Sequence, residues 1–157
     1  MPKPLNEKPL PDLEIRPLRP DERGDWEPLW QGYLTFYESR VSPQTTDVLW
    51  QRLHDPKEPM FALGAYAGGR LIGIVHYIFH RSCWTIGDYC YLQDLFVVPE
   101  ARKSGAGRAL IEAVEKAARD KGASRLHWLT KEDNHTARAL YDQLAERSGF
   151  IQYRKLF

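Results

Sequence analysis

The chain has 157 residues, and its 22 Lys and Arg against 21 Asp and Glu give a formal net charge of +1. This length suits one domain whose core needs neither disulfides nor metal, and the near-zero charge disfavours binding to nucleic acid or to an anionic membrane surface. Apolar residues make up 43% of the chain, too many for disorder, and no apolar run reaches the roughly 20 residues of a membrane span.

The N-terminus and the cysteines bear on where the protein works. Residues 1–12 carry four prolines among charged side chains and are predicted to form a flexible tail ahead of a single domain at residues 13–157. This tail lacks the apolar core of a secretion signal, so export is not expected. Cys83 and Cys90 form no CxxC pair, which predicts two small core residues in a protein of the reducing cytoplasm.

The first half of the domain is predicted to contain a strand, two helices and a hairpin. Aromatic residues recur with helical spacing from Trp26 to Tyr37 and are predicted to be mostly core. Ser42 before Pro43 predicts the N-cap of a second helix, and Gly68-Gly69 predicts a two-residue hairpin turn. The predicted elements are a strand at residues 13–18, helices at 21–37 and 42–54, and strands at 60–67 and 70–80.

The second half is predicted to alternate strands and helices. A strongly apolar strand ends before Pro99, and the next apolar residues recur at helical spacing. The predicted elements are a strand at Tyr89–Val98, a helix that ends near Gly122, a strand at Arg125–Thr130, a helix that opens near Asn134, and a final strand at Gly149–Tyr153.

A two-glycine loop joins the central strand to the following helix, in the pattern Arg102-x-x-Gly105-x-Gly107. Free N–H groups at a helix N-terminus, close backbone approach at glycine, and the cations Arg102, Lys103 and Arg108 favour binding of a phosphate group. The alternative is a glycine-containing turn with solvated basic residues. No P-loop occurs in the chain, and a dinucleotide fingerprint is rejected because its third small position falls on Leu110.

This loop resembles the acetyl-CoA pyrophosphate loop of the GNAT superfamily of N-acetyltransferases. The segment from Asn134 to Tyr141, followed by Gly149-Phe150, is similar to the C-terminal signature of the same family. The resemblance covers nearly the whole domain and is strongest to the polyamine branch and to yeast enzymes that acetylate histones or D-amino acids. It implies the α/β (α+β) acyl-CoA N-acyltransferase fold, in which helices flank a splayed, mixed, mostly antiparallel sheet.

The resemblance also implies a cofactor site. In the family, the splayed central strand pairs with the pantetheine arm, and the loop amides hold the pyrophosphate. Asn134 corresponds to an amide that contacts the cofactor, although an N-cap role is equally natural and compatible with it. The implied acetyl-CoA contacts are Leu95, Phe96, Val97, Arg102, Lys103, Ser104, Gly105, Ala106, Gly107, Arg108, Asn134 and Tyr141.

The expected reaction is direct attack of a primary amine on acetyl-CoA in a ternary complex. Tyr141 is expected to protonate the leaving thiolate. Gln93 stands where polyamine acetyltransferases have Glu, so Asp94 either serves as the base through a water or is structural, and the amine can also arrive neutral. Phe36, Tyr37 and Gln93 are expected to contact the acceptor, which is a small amine, an amino acid or a protein lysine. No metal site is expected.

Two functional hypotheses follow from these residues. The first is a cytoplasmic N-acetyltransferase, and the second is a non-catalytic acyl-CoA-binding sensor or interaction module. The spacing between Tyr141 and Gly149 is longer than usual in the family, which predicts a last helix longer by a turn. An apolar final strand with an open edge predicts a homodimer, with completion of the sheet by the partner as one possibility and a charge-guarded monomer as the other.

Overall fold

The structure is a computed structural model that describes residues 12–157, so almost all of the predicted N-terminal tail lies outside the described residues. Nine helices and strands are described, together with 3-10 turns at Pro20–Glu22 and Pro99–Ala101. The elements are β1 (Glu14–Pro17), α1 (Arg23–Phe36), α2 (Pro43–Leu53), β2 (Met60–Ala67), β3 (Arg70–His80), β4 (Tyr89–Val97), α3 (Ala106–Asp120), β5 (Arg125–His127) and α4 (His135–Leu144).

The strands form one sheet in the order β1-β2-β3-β4-β5. All neighbours are antiparallel except β4 and β5, which run parallel. Gly68 and Gly69, with φ angles of 56° and 80°, close the hairpin between β2 and β3 as the sequence predicts. The predicted mixed, mostly antiparallel sheet is confirmed.

The sheet splays between β4 and β5. The two strands pair only at Tyr89–Tyr91 and Arg125–His127, and the chain then leaves β4 at residue 128. The edge of β4 from Leu92 to Val97 therefore has no strand beside it within residues 12–157. Because the chain turns away here, β5 is three residues shorter than the predicted strand at Arg125–Thr130.

Helices cover both faces of the sheet. On the face of α1, a Cβ added at Gly32 would lie 2.8 Å from Cζ of Phe96, so helix and strand approach closely here. On the face of α3, Leu110 and Val97 lie over Gly73. The interior is filled by aromatic and branched side chains, of which the largest fully buried ones are Trp26, Ile74, Leu110, Val75 and Val114.

Glu22 ties the start of α1 to the sheet. Its carboxylate accepts hydrogen bonds from Nη1 of Arg16 at 2.7 Å, from the Arg19 backbone N–H at 2.8 Å and from the Tyr66 hydroxyl at 2.8 Å. The Arg16 guanidinium is the main cause that lowers the pKa of Glu22 to about 2. These bonds fix the helix that carries the aromatic stripe relative to β1 and β2.

The C-terminal segment differs most from the sequence prediction. No strand forms at Gly149–Tyr153, and the side chains of Phe150, Ile151 and Tyr153 are 86%, 77% and 89% exposed. A strand exists only where a neighbour supplies hydrogen bonds, and this segment has no neighbouring strand within the described residues. Residues 149–153 therefore have the apolar pattern of a strand but lack the pairing with another strand that this pattern predicts.

Two smaller predictions were also wrong. The last helix is not longer by a turn, since it ends at Leu144, after which Ala145 is extended at φ −154° and ψ 176°. Cys83 is exposed and only Cys90 is a core residue, because Cys83 lies in the loop between β3 and β4 rather than in a strand.

Candidate functional site

The loop before α3 presents free backbone N–H groups. Gly105, with φ 89°, is the N-cap of α3, and Lys103 also adopts a positive φ of 65°. Ala109 donates to the carbonyl of Gly105 at 3.0 Å, whereas the N–H groups of Gly107 and Arg108 have no acceptor within residues 12–157. Unpaired donors at the positive end of a 15-residue helix favour an anion.

Gly107 is not required by the fold. A Cβ at this position would lie 3.9 Å from Cδ2 of Leu140 and 4.0 Å from Cγ2 of Val97, which are ordinary contact distances. Glycine inside a helix costs about 1 kcal/mol relative to alanine. The packing does not explain this glycine, but approach of a ligand to the backbone does, so the loop fits a phosphate group.

The three cations predicted around the loop differ in where they point. Nε of Arg102 donates to the carbonyl of Val97 at 3.1 Å, and its guanidinium lies 5.6 Å from the ring centres of Phe36 and Phe96. Arg102 therefore covers the end of β4. Arg108 bonds to Gln143 and pairs with Glu112 at 3.8 Å, and the side chain of Lys103 is exposed. The remaining loop residues, Ser104 and Ala106, are joined by a hydrogen bond from the Ala106 N–H to Ser104 Oγ.

A β-bulge lies in the middle of β4. His76 pairs with Asp94 and Tyr77 pairs with Leu92, so Gln93 is an extra residue without a partner on β3. A bulge of this kind reverses the alternation of side chains along the strand. It brings Tyr91 and Asp94, three residues apart, to the same face of the sheet, under α1.

Three tyrosines surround the Asp94 carboxylate. Burial, with this carboxylate as the next cause, raises the pKa of Tyr33, of Tyr37 and of Tyr91. Tyr33 and Tyr37 come from α1, where their rings lie 4.9 Å apart, and both belong to the predicted aromatic stripe. Phe36, the other predicted acceptor contact, is 54% exposed beside Tyr37.

The structure adds two residues to this site that sequence analysis missed. His76 Nδ1 lies 3.0 Å from Asp94 Oδ2, and the indole N–H of Trp26 donates to His76 Nε2 at 3.0 Å. His76 and Trp26 are 2% and 0% exposed. The sequence shows only a histidine in an apolar strand, and the signal that could have found it is the register of β3 against β4.

A cavity of about 440 Å³ opens beside Asp94. Its walls come mainly from α2, and β3 and β4 form its floor. Most of the lining is apolar, and Arg52 is its only Lys or Arg side chain. The polar side chains that line it from β3 and β4 are His76, Gln93 and Asp94.

Tyr141 approaches the same region from α4. Its ring contacts Trp128 edge to face with 5.5 Å between centres. Burial raises the pKa of Tyr141 to about 12, and the Tyr37 hydroxyl is the second cause. Because Tyr37 in turn lies near Asp94, the structure brings the predicted acid, the predicted base and one predicted acceptor contact into one cluster.

Asn134 caps α4. Its Oδ1 accepts from the Ala137 backbone N–H, and its Nδ2 donates to Thr130 Oγ1, both at 3.4 Å. Leu95, Phe96 and Val97 are all half-buried along the open edge of β4. The predicted cofactor contacts on β4 and at the start of α4 thus lie on opposite sides of the gap where β4 and β5 separate.

In the part of the chain that the structure describes, no three His, Cys, Asp or Glu side chains come together as a metal ion would require. No helix there is both long and apolar enough to cross a bilayer.

Comparison with protein families gives a match to the acetyltransferase (GNAT) family over residues 26–145. The chain is 30% identical over 145 residues to the D-amino-acid N-acetyltransferase HPA3 of Saccharomyces cerevisiae, covering 91% of this chain and 90% of that protein. It is 33% identical over 95 residues to a thialysine N-epsilon-acetyltransferase of Caenorhabditis elegans, covering 57% and 59% of the two chains.

Among solved structures, the ribosomal-protein-alanine N-acetyltransferase of Brucella melitensis biovar Abortus superposes with a TM-score of 0.78. The match covers 92% of this chain and 99% of that one at 23% identity. At this identity the likeness concerns the fold alone.

Proposed function

The chain belongs to the GNAT family of N-acetyltransferases, and from this premise we propose that it transfers the acetyl group of acetyl-CoA to the primary amine of a small amine or amino acid. The observation that carries the proposal is the open edge of β4. At one end this edge meets the loop with free N–H groups, and near its other end Asp94 lines the cavity between α2 and the sheet.

Acetyl-CoA supplies the acetyl group as a thioester and is bound by residues of this chain on both sides of the open edge. The N–H groups of Gly107 and Arg108 bind its pyrophosphate, and the backbone from Leu95 to Val97 pairs with the pantetheine arm. Asp94 receives the proton that the amine loses, and Tyr141 donates a proton to the departing sulfur. A phenol whose pKa is about 12 is protonated at neutral pH, as this role requires.

The cavity supports an amino acid as the acceptor. Its lining offers a carboxylate at Asp94 for the amine and a guanidinium at Arg52 for a substrate carboxylate, and most of the other lining side chains are apolar. Phe36, Tyr37 and Gln93 complete the proposed contacts. The relative HPA3 carries the name of a D-amino-acid N-acetyltransferase, which agrees with this choice.

The experiment is the release of free CoA thiol from acetyl-CoA over a panel of amines. The panel pairs each apolar D- or L-amino acid with the amine that lacks its carboxylate, and adds polyamines and lysine peptides. Turnover is expected with at least one amino acid, and Arg52→Ala is expected to lower its activity toward amino acids more than toward the matched amines. Binding of acetyl-CoA without turnover across the panel would overturn the proposal in favour of a sensor.

The loop assignment gives a first prediction. Gly107→Val is expected to weaken acetyl-CoA binding at least about tenfold, because the added side chain blocks hydrogen bonds to phosphate that are worth about 1.5–3 kcal/mol. Titration calorimetry measures the affinity. Gly24→Val is the matched control: Gly24 is also the second residue of a helix, with nothing within 4 Å of an added Cβ. Equal affinities for the two folded variants would contradict the assignment.

We also propose that two copies associate through their C-terminal segments. The exposed apolar side chains of residues 150–157 have no cover within the described chain, and large exposed apolar patches mark interfaces. A groove of about 290 Å³ runs beside β5, lined by α3, residues 123–128 and the end of α4. The segment of one copy lies in this groove on the other, in place of the missing final strand.

Light scattering at micromolar concentration tests this association. The expected mass is twice the 18.2 kDa of one chain. Ile151→Asp is expected to produce a monomer, because it places a charge in the apolar interface, whereas the neighbouring Gln152→Asp retains the dimer. A wild-type mass near 18.2 kDa would end the proposal.

The same enzyme is proposed to work in a reducing compartment, the cytoplasm. The structure contains free thiols at the exposed Cys83 and the buried Cys90, and an exposed free cysteine is typical of proteins that are kept reduced. The catalytic unit is proposed to be the single domain at residues 13–157.

A further inference from the structure

A buried row of hydrogen bonds runs from α1 through β3 to β4. The indole N–H of Trp26 can only donate, so Nε2 of His76 must accept from it. The proton of the neutral imidazole is then on Nδ1, which donates to Asp94 Oδ2 at 3.0 Å. Trp26 thus selects the one neutral tautomer of His76 that can bond to the carboxylate.

The packing holds this row in one geometry. The Trp26 ring lies 4.7 Å from Trp50 and 5.9 Å from His76, measured between ring centres. Trp30 lies 5.4 Å from His76 on the neighbouring helical turn, and its own N–H donates to the buried Thr46. His76 therefore has little freedom to rotate away from Asp94.

The row of hydrogen bonds ends at the Asp94 carboxylate, which receives the proton of the amine in the proposed reaction. Asp94 pairs with His76 directly after the unpaired bulge residue Gln93. Its side chain needs a second hold, because a carboxylate that rotates freely meets the acceptor's proton in only a fraction of its orientations. His76 supplies this hold through its hydrogen bond to Oδ2.

We infer that His76 is a positioning residue for acetyl transfer: the Nδ1–H, fixed by the Trp26 indole, orients the Asp94 carboxylate toward the acceptor amine in the cavity. This inference rests on the proposed function, in which Asp94 receives the proton. A purely structural role for the same bonds would affect folding stability and leave turnover by the folded protein unchanged.

The first test compares H76L with H76N. Leucine and asparagine have nearly the same shape, but only asparagine places an N–H where Nδ1 stands. H76L is expected to lower kcat about tenfold or more, with the affinity for acetyl-CoA unchanged by calorimetry, while H76N recovers most of kcat. Unchanged kcat in folded H76L, or equal losses in H76L and H76N, would overturn the inference.

The second test uses W26F. Removing the indole N–H leaves His76 Nε2 without its donor, so the tautomer with its proton on Nε2, which cannot donate to Asp94, becomes accessible. The kcat of folded W26F is expected to fall, and the W26F/H76N double variant is expected to fall no further than H76N, because asparagine has no such tautomer. Unchanged kcat in folded W26F would contradict the role of Trp26.

The H76L and H76N comparison decides the inference even if W26F, which opens space in the core, does not fold.

The assay also separates this inference from its premise. If D94N keeps wild-type turnover, Asp94 is not the proton acceptor, and the premise fails. If D94N loses turnover and H76L does not, only the positioning role is overturned.

Discussion

Tyr141→Phe is expected to lower kcat about 100-fold, because a positioned acid that protonates the leaving group is worth about 10²-fold or more. The affinity for acetyl-CoA should change little, since the ring and its contact with Trp128 remain and only the hydroxyl is lost. Steady-state release of CoA thiol gives kcat, and calorimetry gives the affinity.

A control variant and the pH dependence of kcat provide two further tests of the role of Tyr141. Tyr89→Phe removes a hydroxyl from a half-buried tyrosine at the other end of β4 and is expected to leave kcat unchanged. Because the pKa of Tyr141 is raised to about 12, the phenol keeps its proton through neutral and mildly alkaline pH and loses it only as pH approaches 12. A fall in wild-type kcat near pH 8 that disappears in Tyr141→Phe would contradict this assignment, as would near-normal turnover of the variant.

Asp94→Asn is the second change with a large expected effect. The amide keeps the shape of the side chain but cannot take a proton, so kcat/KM is expected to fall about 100-fold or more. Acetyl-CoA binding should persist, because Asp94 faces the cavity and the tyrosines rather than the loop before α3. The measurement is the initial rate at acceptor concentrations well below KM, with an acceptor from the amine panel.

The neighbouring Gln93→Ala provides the matched control. Gln93 also lines the cavity, but its amide has no acid–base chemistry. Its loss is expected to raise KM for the acceptor and to leave kcat nearly unchanged. If Gln93→Ala removes turnover and Asp94→Asn does not, the bulge residue and not the carboxylate takes part in the reaction.

Local patterns allowed much of the fold to be predicted from the sequence. The hairpin at Gly68-Gly69 and the N-cap at Ser42 depend on backbone preferences of a few adjacent residues, and the first helix depends on a spacing that the chain carries within itself. The final strand could not be predicted in this way. The segment at Gly149–Tyr153 has the composition of a strand, but a strand also needs a partner, and composition does not contain that information.

The same distinction applies to the candidate site: some of its residues could be predicted from local motifs, and others depend on contacts between distant parts of the chain. Gly105, Gly107 and Tyr141 could be identified as candidates from short motifs. The hydrogen bond by which His76 holds Asp94 could not be predicted in this way. It depends on a one-residue bulge and on the register that sets His76 opposite Asp94. The sequence distances from Trp26 to His76 and on to Asp94 are 50 and 18 residues, so no local pattern connects them.

The strand order of the sheet also has a consequence for how the protein folds. Short connections join β2 to β3 and β3 to β4, whereas β1 pairs with β2 across α1 and α2, and β5 pairs parallel to β4 after a crossover through α3. Pairings between neighbours in sequence cost less loop-closure entropy and form earlier. We therefore expect the three-stranded meander of β2, β3 and β4 to form first, and β5, which bounds the cleft beside β4, to be added later together with β1.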